Sequence, residues 1–205
     1  MGTALLVRHG ESTWNRAGRA QGWAPTPLTD RGREQAAAVA TYIVRTHDVD
    51  RLVTSDLRRA ADTAAHIADA TGVDPEPDRA WRERDFGRLQ GLDYPGLFEA
   101  FPRFSLDERG ADAVAERPAS GESLLDVHDR VLDGWAALVD DLAPDDTAVV
   151  VCHGGPLHLL TGAVRGVDVP TAVLDGEQDN CAITEIAVDD GADPRLVREN
   201  WTGYR

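Results

Sequence analysis

The sequence predicts an α/β fold built on a mainly parallel sheet, and three observations lead to this prediction. Short uninterrupted apolar runs, typical of strands buried on both faces, occur at residues 3–7 and 147–152. Segments with apolar residues at helical spacing follow the strands, so the first part of the chain alternates strand, helix, strand, helix. The 205 residues suit one domain, which at this size buries about 70% of its unfolded surface. We therefore predict a single domain over residues 1–205.

After the strand at 3–7, the first half of the chain supplies two helices and a second strand. Residues 28–30, Leu-Thr-Asp, offer a hydrophobic staple and an N-cap for a helix of about four turns. Residues 51–55 then predict a strand. Ser55 or Asp56 is expected to cap the next helix, which runs to Ala70.

The middle of the chain, residues 92–120, has no clear periodicity and is rich in Pro, Gly and charge. Loops of this length are usually functional or mobile, so we predict a lid-like insertion around 92–120 that forms a pocket wall together with Trp23. The remaining predicted elements are helices at 123–142 and from 154 to about 164, and strands at 147–152, 182–188 and 195–201, the last two joined by a turn-rich segment at 189–194.

Charge and composition exclude several classes of function. The chain has 36 acidic residues and 21 basic ones, all of them Arg, for a net charge of −15. A negative field of this size repels nucleic acid, so we exclude it as a partner. No apolar run approaches the roughly 18 residues of a membrane span, and no basic segment of a signal peptide opens the chain. We predict a cytoplasmic protein without a membrane partner.

The excess of acidic residues has two interpretations. Our hypothesis is adaptation to a salt-rich cytosol, in which screening relieves self-repulsion; the alternative is an ordinary acidic protein. The two cysteines, Cys152 and Cys181, are too few for a disulfide framework or a cysteine-based zinc site.

Two predicted strands end in the same pair of residues, His-Gly, at His9 and at His153. In open parallel sheets ligands bind at the carboxyl ends of strands, where helix N-termini also present amides to an anion. Glycine after each histidine allows the backbone to approach a ligand closely, and Arg8 adds a cation beside His9. Both histidines are therefore expected to face one anion-binding crevice.

Further motifs accompany these histidines along the whole chain, and together they carry a resemblance to the histidine phosphatase superfamily, which contains the phosphoglycerate mutases. The resemblance implies a single-domain three-layer sandwich, phosphoglycerate mutase-like, with helices on both faces of the mainly parallel central sheet. The segments that carry it are Leu6 to Asn15, Gln21 to Trp23, Pro27 to Thr29, Gly32, Ser55 to Ala60, Thr63 and Ala64, Glu83 to Gly87, Gln90 and Gly91, Gly121 to Ser123, and His153 to Gly155.

Roles follow from this resemblance, residue by residue. It implies that His9 is the nucleophile that accepts the phosphoryl group, that Glu83 is the proton donor, and that His153, in its protonated form, holds the phosphate. Nearby Arg charges are expected to lower the pKa of His9, which must be neutral to attack. The implied phosphate-binding residues are Arg8, Asn15, Gln21, Gly22, Arg59 and Gly154.

The implied function is hydrolysis of a phosphomonoester of a small phosphorylated metabolite through phosphohistidine, without metal or cofactor. The alternative is a phosphoglycerate mutase, which would need 2,3-bisphosphoglycerate as cofactor; a catalytically idle phosphate-binding protein is a third. The family's mutases carry a longer segment after the acid motif, with a lysine that this chain lacks. In its place Arg103, Arg109 and Arg117 remain candidates for gripping a substrate carboxylate. A homo-oligomer stays open.

Competing interpretations of single residues also stay open. Glu83 alternatively forms a salt bridge with Arg82 or Arg84, and Arg58 is expected on a solvated helix face. A cysteine phosphatase would need an Arg five residues after Cys152, where the chain has His158, so Cys152 is expected to be a core residue.

Overall fold

The computed structural model describes residues 2–188 and 192–205, which form one α/β domain. Its strands are β1 Gly2–Arg8, β2 Arg51–Thr54, β3 Pro75–Pro77, β4 Thr147–Cys152, β5 Ile183–Val188 and β6 Arg195–Trp201. Its α-helices are α1 Thr13–Arg16, α2 Asp30–Thr46, α3 Arg58–Thr71, α4 Tyr94–Ala100, α5 Leu106–Arg109, α6 Leu124–Asp140, α7 Gly154–Arg165 and α8 Val169–Leu174. Single 3₁₀ turns lie at Arg79–Trp81, Gly87–Leu89, Pro102–Phe104 and Gly110–Ala113.

The described strands form one mainly parallel sheet in the order β3-β2-β4-β1-β5-β6. All pairings among β1, β2, β3 and β4 are parallel, whereas β5 runs antiparallel to β1 and β6 antiparallel to β5. In the centre of the sheet Arg8 is paired with Cys152. Because these parallel strands end side by side, the residues that follow them emerge together at one edge of the sheet.

Helices cover both faces of this sheet, as expected for a three-layer sandwich. Alternate residues of a strand point to opposite faces. Leu6 and Val150 pack into a core cluster with side chains of α6 and α7, while Leu5 and Val149 pack into a second cluster with α2 and α3. Burial on both faces is why β1 and β4 are uninterrupted apolar runs.

The helix caps are partly as predicted. Thr29 caps α2, as predicted, by accepting from the Gly32 amide at 3.0 Å. Ser123, for which no cap was predicted, caps α6 in a capping box with Asp126. The predicted cap of α3 is wrong, because Leu57 occupies the cap position without a side-chain hydrogen bond.

Ser55 and Asp56 do not cap α3 because both side chains have other partners. Asp56 accepts two hydrogen bonds at 2.5 Å from Arg82, and the Ser55 hydroxyl lies 2.8 Å from His153 Nε2. Three short elements outside residues 92–120, namely α1, β3 and α8, were not predicted. β3 is Pro-Glu-Pro at the sheet edge, where missing amide donors are tolerated, and α8 has only six residues.

Residues 92–120 contain short helices rather than the irregular chain that was expected. Leu97 of α4 and Phe104 pack with Phe86 and Leu89 into a third, smaller apolar cluster, which anchors this segment against the rest of the domain. The turn predicted at 189–194 lies partly outside the described residues. No helix within residues 2–188 and 192–205 is long and apolar enough to cross a membrane.

Candidate active site

The two histidines predicted to share a crevice lie against each other. His9 follows β1 and His153 follows β4, and their ring centroids are 5.0 Å apart. Their exposed fractions are only 2% and 0%. The adjacent parallel strands therefore bring together two imidazoles that are 144 positions apart in the sequence.

Hydrogen bonds fix which ring nitrogen of His9 carries the proton. Its Nδ1 lies 2.7 Å from the Gly10 carbonyl oxygen, which only accepts, so Nδ1 carries the proton. Nε2 then keeps its lone pair and accepts from Arg59 Nε at 3.2 Å. A side chain at Gly10 would meet the Gly32 carbonyl oxygen at 2.4 Å, so only glycine fits here.

Burial first, then the charges of Arg59 and Arg8, hold the pKa of His9 well below its ordinary value of 6.5. The ring is therefore neutral at neutral pH, as its predicted role requires. Burial, Arg59 and His9 lower the pKa of His153 in the same way, so this ring is neutral in the substrate-free protein, and its protonated form with phosphate bound stays a prediction. A bound phosphate dianion would favour its protonation, because an opposite charge stabilises imidazolium.

Two arginines flank the histidines, Arg59 buried and Arg8 partly buried. Arg59 donates to the carbonyl oxygens of Gly22 at 2.9 Å and Ala24 at 3.3 Å, and burial lowers its pKa to about 10, so it remains a cation at neutral pH. Arg8 donates from Nη1 to the Gln178 carbonyl oxygen, while its buried Nε has no partner in the protein. His153 Nδ1 is likewise buried and unpartnered. These two orphaned nitrogens beside Nε2 of His9 suit an anion.

The amides of Asn15 and Gln21 are oriented by the same serine. Asn15 Oδ1 accepts from the Ser12 amide at 3.0 Å, and Gln21 Oε1 accepts from the Ser12 hydroxyl at 2.6 Å. With these oxygens engaged, both NH₂ groups remain as donors at the cavity. Gly22 has a positive φ of 51° and its carbonyl holds Arg59, so its backbone positions the cation.

Glu83 lies at the N-terminus of α7. Its Oε2 accepts from the Gly155 amide at 3.3 Å and its Oε1 from the Arg84 amide at 2.9 Å. A Cβ on Gly155 would lie 2.2 Å from Oε1, so the glycine makes room for the carboxyl group. Gly154 precedes it as the first residue of α7.

The alternative salt bridge of Glu83 is wrong. Arg82 pairs with Asp56, and Arg84 donates its side-chain hydrogen bonds to the carbonyl oxygens of Glu116 and Glu122. Trp23 does not line the cavity. Its indole donates to the Glu83 carbonyl oxygen at 2.8 Å and lies under the Arg82 guanidinium, so it supports Glu83 from behind.

A cavity of about 690 Å³ unites these groups. Every predicted site residue lines it except His153, which contacts the ring of His9. Its outer wall is largely apolar and comes from Phe86, the insertion and α8. The outer-wall residues of the last two segments include Tyr94, Pro95, Phe98, Phe104, Leu106, Val173 and Leu174.

Sequence reasoning missed several polar residues here. Asn180 donates to the His9 carbonyl oxygen at 2.9 Å, and Arg84, His158 and Gln178 line the cavity. Only Arg84 had a signal, since it lies within a motif that carries the resemblance. The others stand on loop and helix positions that no pattern marks.

Rival chemistries find no support in the described residues. Cys152 is fully buried and its burial raises the pKa of the thiol well above the ordinary value, as expected for a core residue. Arg58 lies on an exposed helix face, 3.6 Å from Asp62. Within residues 2–188 and 192–205, no group of three or more His, Cys, Asp or Glu side chains is arranged to hold a metal ion.

Comparison with known proteins gives a consistent result. The family model of the histidine phosphatase superfamily (branch 1) matches residues 4–202. Glucosyl-3-phosphoglycerate phosphatase of Mycolicibacterium vanbaalenii is 34% identical over 89% of this chain and 83% of its own length. A metal-independent phosphoserine phosphatase of Arabidopsis thaliana is 36% identical over 76% of this chain and 66% of its own.

Phosphoglycerate mutases are also similar to this chain. The 2,3-bisphosphoglycerate-dependent phosphoglycerate mutase of Mesorhizobium japonicum is 34% identical over 80% of this chain and 82% of its own. Among solved structures, mycobacterial glucosyl-3-phosphoglycerate phosphatase in complex with VO3 superimposes with a TM-score of 0.85 and 31% identity, over 98% of this chain and 99% of its own.

Proposed function

Because this chain belongs to branch 1 of the histidine phosphatase superfamily, we propose that it hydrolyses phosphate monoesters of small metabolites through a phosphohistidine on His9. One observation carries the proposal: Nε2 of His9 keeps its lone pair, and the neighbouring Arg8 and His153 each have a buried side-chain nitrogen without a partner in the protein, Arg8 Nε and His153 Nδ1. Phosphoryl transfer to His9 requires a nucleophile with groups beside it that can hold the phosphate oxygens.

In the first half-reaction the phosphate dianion binds Arg8, Arg59, His153 and the amide groups of Asn15 and Gln21. The α7 N-terminus at Gly154 adds backbone donors. Nε2 of His9 attacks phosphorus, the bond to the ester oxygen breaks, and protonated Glu83 donates its proton to that oxygen. The alcohol leaves, and Glu83 remains as a carboxylate.

In the second half-reaction water attacks the phosphorus of phosphohistidine. The Glu83 carboxylate takes the proton from this water, and the nitrogen–phosphorus bond breaks. Inorganic phosphate leaves, neutral His9 is restored and Glu83 is again protonated. One carboxyl group thus serves both halves, and no metal or organic cofactor takes part.

The mutase alternative keeps the phosphoryl group on His9 and returns it to the product. The similarity to the Mesorhizobium japonicum mutase favours this alternative. Against it, Arg103, Arg109 and Arg117 of the insertion do not line the cavity, so they supply no carboxylate grip. The insertion instead contributes largely apolar side chains, and we propose that it acts as a lid that sorts leaving groups.

Phosphorus NMR tests the proposal. The protein, in EDTA, receives 3-phosphoglycerate, a trace of 2,3-bisphosphoglycerate and several sugar phosphates together. We expect inorganic phosphate to grow with wild-type protein and not with the matched His9→Ala variant. Appearance of 2-phosphoglycerate without inorganic phosphate would establish the mutase instead. Loss of wild-type activity in EDTA would contradict the metal-free mechanism.

A cytoplasmic location accompanies this proposal. A doubly charged phosphate ester crosses a membrane only at a large desolvation cost, so such metabolites stay in the compartment that makes them. Adaptation to a salt-rich cytosol remains a second, independent proposal, supported by the net charge of −15.

A further inference from the structure

Five buried side-chain atoms in the described residues have no hydrogen-bond partner in the protein: Arg8 Nε, His153 Nδ1, His158 Nδ1, and both Nε2 and Oε1 of Gln178. The first two belong to the phosphate end of the cavity. The other three belong to His158 and Gln178, which the phosphoryl transfer does not use. Both of these residues line the same cavity.

His158 and Gln178 lie near the residues proposed to donate the proton and to bind the phosphate. Residues three apart on a helix share a face, so His158 stands on α7 one turn beyond Gly155, whose amide contacts the proton donor Glu83. Gln178 follows α8, and its backbone oxygen accepts from Arg8. The two side chains therefore border the phosphate site close to its cation and its acid.

Unpartnered groups of this kind are costly. A buried donor or acceptor left unsatisfied costs about 1–3 kcal/mol, and native proteins keep few of them. Gln178 is only 8% exposed and has two such atoms. The His158 ring is confined as well, because a Cβ on Gly176 would lie 2.7 Å from its Nδ1. Ligand groups that satisfy these atoms would offset the cost.

We propose that His158 and Gln178 form a leaving-group subsite for hydroxyl groups, which makes polyol or sugar phosphates the substrate class. The inference rests on the proposed hydrolysis at His9. A primary amide and an imidazole offer donors and acceptors together, and a hydroxyl group both donates and accepts. A carboxylate only accepts, so it would leave the Gln178 oxygen unpaired.

The surroundings agree with a neutral, hydroxylated ligand. Burial, followed by the charges of Arg8 and Arg165, lowers the pKa of His158, against an opposing effect of Glu83, so the ring is uncharged at neutral pH. Phe86, Phe98 and Phe104 also line this cavity, and their apolar surface suits the C–H faces of a sugar or polyol.

Two esters and two variants test the subsite. Sorbitol 6-phosphate and n-hexyl phosphate both have six-carbon alkyl leaving groups, but only the first carries further hydroxyl groups. The quantity compared is kcat/KM for sorbitol 6-phosphate divided by kcat/KM for n-hexyl phosphate. We expect Gln178→Met and His158→Leu each to lower this ratio about tenfold, which is the effect of one or two lost hydrogen bonds. His66→Leu is the matched control, because His66 does not line the cavity, and its ratio should equal that of the wild type.

The outcomes separate the two proposals. If the variants lose activity equally on both esters, the ratio is unchanged, His158 and Gln178 have a structural role and the proposed subsite is wrong. If the variants lose activity on neither ester, the subsite is wrong as well. If the wild-type protein releases phosphate from neither ester, the proposed function itself is wrong, and this inference loses its basis.

Discussion

At the scale of single residues, His9 and His153 are buried without a counter-charge. Burial is the first cause of the low pKa of both rings, and Arg59 is the second. The folded protein therefore holds them neutral, whereas the unfolded chain binds protons near pH 6.5. Keeping the proposed nucleophile His9 neutral consequently makes the folded state sensitive to acid.

We predict that the free energy of unfolding decreases as the pH falls from 7 towards 5. The pKa of each of these histidines is lower in the folded protein than in the unfolded chain, so the unfolded chain takes up protons first as the pH falls. The free energy of unfolding is therefore retained above pH 6.5 and decreases below it by about 1.4 kcal/mol per pH unit for each such histidine. Urea unfolding followed by tryptophan fluorescence measures it. His153→Gln should make the dependence shallower by that amount, and the same slope in wild type and variant would contradict the assignment.

Glu83 is the residue whose role depends most on the leaving group. We predict that Glu83→Gln slows phosphorylation of His9 by alkyl phosphates about 10²- to 10⁴-fold, the usual contribution of a general acid. p-Nitrophenyl phosphate, whose leaving group scarcely needs a proton, should still give a burst of one p-nitrophenol per protein, followed by slow turnover.

Rapid-mixing absorbance measures this burst. Glu11→Gln is a suitable control, since Glu11 does not line the cavity and instead accepts a hydrogen bond from Thr29. Equal slowing of the first half-reaction with both kinds of ester would remove Glu83 from the donor role.

At the scale of elements, the start of α7 joins the phosphate site to the acid. His153 is its cap residue and makes no side-chain capping bond, so the imidazole is left for the ligand. The next two residues are glycines with different surroundings. A Cβ on Gly154 would find no atom closer than 3.8 Å, whereas one on Gly155 would strike the Glu83 carboxyl group.

We predict that Gly155→Ala reproduces the kinetic defect of Glu83→Gln with alkyl phosphates, because the new methyl group displaces the carboxyl group. Gly154→Ala is the matched comparison and should lose much less. Alanine favours a helix over glycine by up to about 1 kcal/mol, so neither variant should be grossly unstable. Steady-state kinetics with thermal melting checks this, and similar losses in both variants would refute the steric explanation.

At the scale of the whole molecule, the net charge of −15 sets up self-repulsion. Several arginines are held in ion pairs, such as Arg51 with Glu76 and Arg198 with Glu185. Two others lie at the candidate active site, Arg59 buried and Arg8 partly buried. The surface is therefore left with an excess of carboxylates.

We predict that the free energy of unfolding rises between 0.05 M and 1 M KCl, since the screening length shrinks from above 10 Å to about 3 Å over this range. Denaturation by urea, which is uncharged, measures it without adding salt. Sucrose at matched osmolarity is the control for excluded-solute effects. Stability that does not depend on KCl would contradict adaptation to a salt-rich cytosol.

Patterns local in the chain predicted the central strands, the long helices and the cap Thr29. Their physical causes, apolar periodicity and hydrogen bonding between near neighbours, act over a few residues. Where a partner lies far along the chain, prediction failed. Asp56 does not cap α3 because Arg82, 26 positions away, takes its carboxylate.

The sequence by itself determined the central strands of the sheet and the meeting of His9 and His153 at strand ends. Through the resemblance, it also indicated that Glu83 belongs to the same site. Only the tertiary structure decided that Glu83 contacts Gly155 rather than a neighbouring arginine, that burial lowers the pKa of His153, and that His158 Nδ1 and the Gln178 amide are buried without partners in the protein. Burial and its effect on charge arise when distant segments exclude water together, and no local pattern records that event.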